Sequence, residues 1–257
     1  MSIKIPYHRI YRPFIIEDQH QEDFFSEYIF DKDYAINPGL YIRNFLMTQK
    51  DLIELFEYIE PSDKNLCTYS LKIYKLYIYI CMQIEANFKA ILNENIISLK
   101  KREYNINTYS IINHTHHLNK YSVIYPIWEG ENNKFIPFAN WPEYKLIWYQ
   151  DYNDIKHNAS TNLGKANLKN LLEAFAAWVV VLSSQFGKND FQPGLTLLGE
   201  ENYYYEGETG IGDYLIINFP TNWENNEKYS FNWEELRNTP NKFQKFDYNQ
   251  LKNSICH

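Results

Sequence analysis

The sequence predicts a mainly α protein of the α+β kind: an antiparallel helical bundle with an inserted β-hairpin and a small β-rich C-terminal region. Three observations lead there. Leu66, Ile73, Tyr77, Ile80, Ile84, Phe88 and Ile91 recur at three- and four-residue steps, the period of one helix face. A second such run, Leu168, Leu171, Leu172, Phe175, Trp178, Val179 and Leu182, follows later in the chain. Short alternating apolar runs, set off by glycine and turn residues, lie between and after the two.

The bulk numbers fit a packed core. Of 257 residues, 45% are hydrophobic and 18% aromatic, a composition that excludes wholesale disorder. A net charge of −7 excludes a global basic field drawing the chain to nucleic acid. Cys67, Cys81 and Cys256 are far apart and odd in number, which suits reduced thiols better than a disulfide framework or a zinc site. The first residues lack the uninterrupted apolar run and small-residue cleavage site of a signal peptide. The longest apolar run, Ala174 to Leu182, falls far short of the roughly 20 residues that cross a bilayer. A soluble, cytoplasmic protein with no membrane partner is expected.

Met1 to Gln49 reads as irregular, with a turn at Pro38-Gly39; residues 24–30 either form one short helix or wrap the core. Asp51 to Tyr58 is a short helix, ended by Pro61. Ser62-Asp63 is a plausible N-cap for a long helix running to about Glu94. That helix is apolar nearly all round in its middle, so it should be central. Glu85 interrupts its stripe and needs a partner, because burying a lone carboxylate is costly; Lys89, one turn on, is the local candidate, and Lys156 or His157 is the expected partner if the long helices pack.

Asn107 to Leu118 is a short helix with a histidine-rich end. Tyr121 to Phe138 is a hairpin turning at Glu129 to Asn133. Trp141-Pro142 starts a helix reaching about Lys156, proline being suited to a first turn. After a turn at 158–164, Lys165 or Ala166 begins the last long helix, which Phe186-Gly187 ends. Strands are expected at Leu195 to Leu198 and Tyr214 to Phe219, with Lys228 to Trp233 pairing nearby. The chain divides into an N-terminal region (1–61), a helical bundle with its hairpin near 121–138 (62–188), and a β-rich extension (189–257).

The stretch Tyr152-Asn153-Asp154-Ile155-Lys156-His157 holds the candidate chemistry. Asn153 and His157 are four apart and so share a helix face. His157 sits at a helix end, where an imidazole is placed for acid–base work near neutral pH. The bland alternative is that these side chains cap a helix. Asn113-His114-Thr115-His116-His117 clusters imidazoles but lacks a recognised ligand spacing, so no metal and no cofactor are expected. Gly207, Gly210 and Gly212 lack the lysine and helix of a P-loop. Tyr203-Tyr204-Tyr205, without flanking cations, reads as strand and core rather than a base-stacking platform.

Tyr69 to Tyr74, Ile84 to Leu92, Tyr152 to His157 and Ala166 to Leu172 together resemble the long helices and polar motif of bacterial HEPN-like proteins, over about residues 65–187. The resemblance implies an antiparallel helical bundle, often a homodimer, with the motif near a shared cleft. Many such proteins are metal-independent ribonucleases of toxin–antitoxin or antiphage systems; others bind RNA or nucleotides, or are inactive partners. Asn153 and His157 match the family's Arg-Asn-x-x-x-His motif, but Tyr152 stands at the arginine position. A guanidinium forks onto phosphate oxygens as tyrosine does not, and Lys156 replaces the charge without the fork. The expected catalytic set is His157, Asn153 and Lys156, with Glu85, Tyr152, Asp154 and Lys89 supporting. The expected function is action on, or binding of, RNA or nucleotide in bacterial defence, with an antitoxin or defence protein as partner. The rival is an inactive interaction protein.

Overall fold

The computed structural model describes residues 2–15, 26–189, 191 and 208–254. In chain order its elements are α1 (Pro38–Phe56), α2 (Leu71–Asn93), α3 (Ile106–Tyr109), α4 (Asn113–His116), β1 (Ser122–Ile124), β2 (Lys134–Phe135), α5 (Ile147–His157), α6 (Ala159–Asn162), α7 (Leu168–Phe186), β3 (Glu208–Thr209), β4 (Ile216–Asn218) and α8 (Trp233–Leu236), with short 3-10 turns between them. The protein is mainly α with a small antiparallel sheet, as its periodicity predicts.

The fold is built on α7. Almost every residue of this helix is buried, including Ala174, Ala176 and Ala177, whose small side chains let neighbouring helices approach closely. Asn167 caps its first turn, accepting a hydrogen bond from the Asn170 amide at 3.0 Å. α2 packs along it, and α1 and α5 pack against both. Its end at Gly187 needs a left-handed backbone (φ 61°), and an added Cβ would sit 3.1 Å from the Tyr11 ring.

The helix directions depart from a simple antiparallel bundle. α1 and α2 are antiparallel, tied by Asn44 to Gln83 near one end and Lys72 to Glu54 near the other. α2 and α7 run the same way. Thr68 and Leu66, just before α2, accept from the Leu168 and Lys169 amides at the start of α7, and near the far ends Gln185 donates to Asn87. Parallel neighbours need a long return, and residues 94–167, with the hairpin and α5, supply it.

Several boundaries also differ from expectation. The Pro38-Gly39 turn is the first turn of α1, where proline's missing N–H is harmless; Ile42 and Phe45 then carry a buried face well before Asp51–Tyr58. α2 starts at Leu71, capped by Ser70, whose Oγ accepts the Ile73 amide at 3.2 Å. Ser62-Asp63 opens a 3-10 turn instead, because Asp63 is held by the hairpin turn. Pro142 starts no helix: the Trp141–Pro142 bond is cis, Trp141 packs on Phe88 and Phe138, and α5 begins at Ile147. The 158–164 segment contains α6, and α7 begins at Leu168.

The hairpin and the tail form one sheet in the order β2-β1-β4-β3. Val123 faces Phe135 on one side and Ile217 on the other. Tyr125 fastens the sheet to α7 by donating to the Leu172 carbonyl at 2.7 Å. Tyr229, within the expected 228–233 pairing, bridges to Ile3 and Phe14 of the N-terminal arm. The expected strand at Leu195–Leu198 lies outside the described residues, as do Phe24, Phe25, the Tyr203–Tyr205 run, Gly207 and Cys256. All three sequence segments contribute to one buried core, from Tyr28 to Tyr248.

Candidate functional site

α5 places its chemistry by the side of the helix each residue occupies. Trp148, Tyr149, Tyr152 and Ile155 are its buried residues, pressed on α2 and α7. Tyr77 of α2 donates to the Trp148 carbonyl, which fixes the two helices against each other. At this contact Glu85, half-buried on α2, meets two groups of α5 and one of its own helix. The Tyr149 hydroxyl donates to its Oε1 at 2.8 Å. Lys156 Nζ lies 4.0 Å from the same oxygen and donates to the Tyr152 hydroxyl at 3.1 Å. Lys89 Nζ stands 3.8 Å from Oε2, one turn along α2. The carboxylate that interrupts the apolar stripe therefore has its partners, two cations and a phenol.

Burial pushes the Tyr149 and Tyr152 hydroxyls above the usual tyrosine range, and the Glu85 charge pushes both further. Burial likewise raises the neighbouring Cys81 thiol, with Glu85 adding and Lys156 opposing. These groups stay protonated near neutral pH, so none of them is a ready nucleophile. The Tyr109 hydroxyl, whose titration also feels Glu85, is buried without a hydrogen-bond partner among the described residues.

The remaining sequence candidates lie elsewhere. His157 is exposed at the last position of α5, and its ring makes no hydrogen bond or ion pair among the described residues. Asn153, partly exposed on the same face, likewise makes no side-chain bond among them. Asp154 belongs to a separate cluster at the foot of α7, where Lys165 reaches both Asp154 and Asp151, and Asn170 holds Asp151 at 2.9 Å. The pairing of Glu85 with Lys156 and Lys89 is present; a pairing of Glu85 with His157 is not. Tyr149 is the residue that sequence reasoning left without a role. Its position one turn before Tyr152, on the same apolar side, was the available signal.

The clustered histidines diverge. His114 is exposed. His116 is buried, its Nε2 donating to the Arg9 carbonyl at 2.9 Å and its Nδ1 paired with Thr115 Oγ1, and burial drives its pKa down to about 3. His117 stacks flat on Trp223 with ring centroids 3.9 Å apart and meets Glu227 at 3.0 Å. Among the described residues no group of three or more His, Cys, Asp or Glu side chains could hold a metal ion, and no helix is long and apolar enough to cross a membrane.

No family model, no curated protein and no solved structure matches this chain.

Proposed function

We propose that the chain is a catalytically inactive HEPN-like protein that works by binding within a bacterial defence or toxin-type system. The observation that carries this reading is the burial of Tyr152. Where the resemblance expects a phosphate-facing arginine, the side chain is wholly enclosed, edge-on to the rings of Tyr77 and Tyr149. Lys156, the one charge of this stretch placed to stand in for the guanidinium, lies back over the Tyr152 ring at 5.1 Å and towards Glu85. Nothing in that arrangement forks onto a phosphate as a guanidinium would. The α2–α5 contact is instead a structural joint. The partners on this reading are a second copy of the chain and a defence or antitoxin protein.

One observation favours a second reading, a metal-independent endoribonuclease. The His157 ring is exposed and unengaged, with Asn153 on the same face, so it is accessible as an acid–base group for RNA or a nucleotide. Total RNA incubated with the wild type and with His157→Ala separates the two. The inactive reading expects intact RNA in both. Cleavage by the wild type that His157→Ala abolishes overturns it in favour of the nuclease.

A further inference from the structure

We infer that the outward face of the α1–α2 pair docks an acidic amphipathic helix of a partner protein. The inference rests on the interaction reading above, but its test uses no RNA, so the two fail separately.

The chain has two methionines beyond Met1, and both are on this face, Met47 57% and Met82 53% exposed. Leu40 at 46% and Tyr79 at 39% are exposed beside them. The antiparallel register set by Asn44–Gln83 and Lys72–Glu54 puts Met47 across from Tyr79, with Met82 one turn further along α2 and Leu40 two turns back along α1. Four large apolar side chains thus flank the seam between two helices. An isolated exposed leucine needs no explanation, but a contiguous group along a seam marks a contact surface. Methionine is the side chain best able to reshape itself around a partner. The inward faces of both helices are already filled by the protein's own core; of the four outward residues Tyr79 also meets the buried Trp178 ring edge-on, while still 39% exposed.

Charge selects the occupant. Lys72 and Glu54 pair with each other across the seam. Among the other exposed charges of the two helices, Arg43, Lys50 and Lys75 stand against Asp51 alone, and none of the three cations pairs with an acid among the described residues. A cationic rim on a chain of net charge −7 is a local reversal of sign. It favours an acidic partner and disfavours another basic surface. An apolar centre with three scattered cations lacks the basic track that a phosphate backbone requires. A groove between two helices suits a third helix, which offers apolar anchors at three- and four-residue steps.

The probe is a fluorescein-labelled amphipathic Leu/Glu helical peptide, titrated with the full-length protein and followed by anisotropy, beside a Leu/Lys peptide of the same pattern. The Leu/Glu peptide should bind saturably. Met47→Glu with Met82→Glu should weaken it about tenfold or more, the effect of removing central anchors. Arg43→Glu with Lys75→Glu should shift preference to the Leu/Lys peptide. All four positions are exposed, so circular dichroism should show both variants folded, and the charge-reversal pair still decides the matter if the methionine pair does not fold. The inference is overturned if neither peptide binds, if both bind equally, or if the Leu/Glu peptide binds the variants as it binds the wild type. A dimer that the methionine variant dissociates, seen by sedimentation, also overturns it, since the face then belongs to a second copy.

Discussion

The Tyr149 hydroxyl donates a 2.8 Å hydrogen bond to Glu85 across the contact between α5 and α2. The acceptor is charged and half-buried, and Lys156 and Lys89 sit beyond ordinary hydrogen-bond distance from it. The phenol is therefore the group that holds the carboxylate most directly. Tyr149→Phe should lower stability by about 1.5–3 kcal/mol, the range for a hydrogen bond to a charged group. Combined with Glu85→Gln, it should show a coupling energy of about 0.5 kcal/mol or more in a double-mutant cycle read by urea unfolding. Additive losses would mean that the two residues are neighbours without being partners.

His116 sets the acid response. Its pKa falls from 6.5 to about 3 because burial penalises the charged ring. The unfolded chain then binds the extra proton first, so the His116 contribution to stability is complete above pH 6.5 and is lost as pH falls towards 3. His117, also lowered by burial, acts in the same direction. Glu173 carries the opposite sign: burial raises its carboxyl, so its contribution is lost as pH rises above its ordinary range. The wild type should lose up to about 1.4 kcal/mol per pH unit through His116 in this window. His116→Gln should be less stable at pH 7 and show a flatter dependence below pH 6.5, measured by urea midpoints at successive pH values. Parallel profiles for the two proteins would remove His116 from the account.

Gly130 and Asp63 lock the hairpin turn to the segment before α2. The Asp63 carboxylate accepts from the Trp128 indole at 2.7 Å and from the Glu131 and Asn132 amides. Gly130 has φ 130°, and a Cβ there would stand 2.5 Å from the same carboxylate. Gly130→Ala combines a backbone conformation that side chains avoid with a collision, and should destabilise by about 1–3 kcal/mol. The loss should shrink in an Asp63→Ala background, where the collision is gone. An alanine variant as stable as the wild type in thermal melts would show that the turn has another conformation open to it.

This lock also shows where the sequence was readable and where it was not. The turn at Glu129–Asn133 is written locally, in its residue types, and so are the buried faces of α2 and α7. The role of Asp63 is not: as an N-cap candidate it looked satisfied by the chain following it, while its partners lie some 65 residues on. The direction of α7 relative to α2 is hidden for the same reason, since it depends on how residues 94–167 return. At the candidate site, Glu85 announced itself as a charge in an apolar stripe, and Lys156 was within reach on the neighbouring helix. His157 follows Lys156 by one residue, a turn of about 100° around the axis. That step takes the ring from the α2 contact to solvent, and the distinction rests on how α5 is rotated, which spacing alone left open.

Arg9 tests how far the N-terminal arm is part of the fold. The side chain is wholly buried: Nε pairs with Glu94 at 2.5 Å, and the two terminal nitrogens donate to Gln185 and to the Ile36 carbonyl. Tyr41 and Phe186 rings flank the guanidinium, and the residue has a left-handed backbone, φ 57°, which a non-glycine residue keeps only when its surroundings enforce it. Arg9 thus joins the arm to the ends of α2 and α7 and to the start of α1. Arg9→Met leaves Glu94 enclosed without its cation and should cost about 3–5 kcal/mol, the range for breaking one side of a buried ion pair. Glu94→Gln keeps a hydrogen-bond acceptor and should cost less, though it leaves the guanidinium uncompensated. Urea unfolding of both variants, with amide exchange at residues 2–15, reads the result. If Arg9→Met unfolds at the wild-type midpoint while the arm stays protected, the arm is held by its apolar contacts and its pairing with Tyr229, and the buried guanidinium is incidental to it.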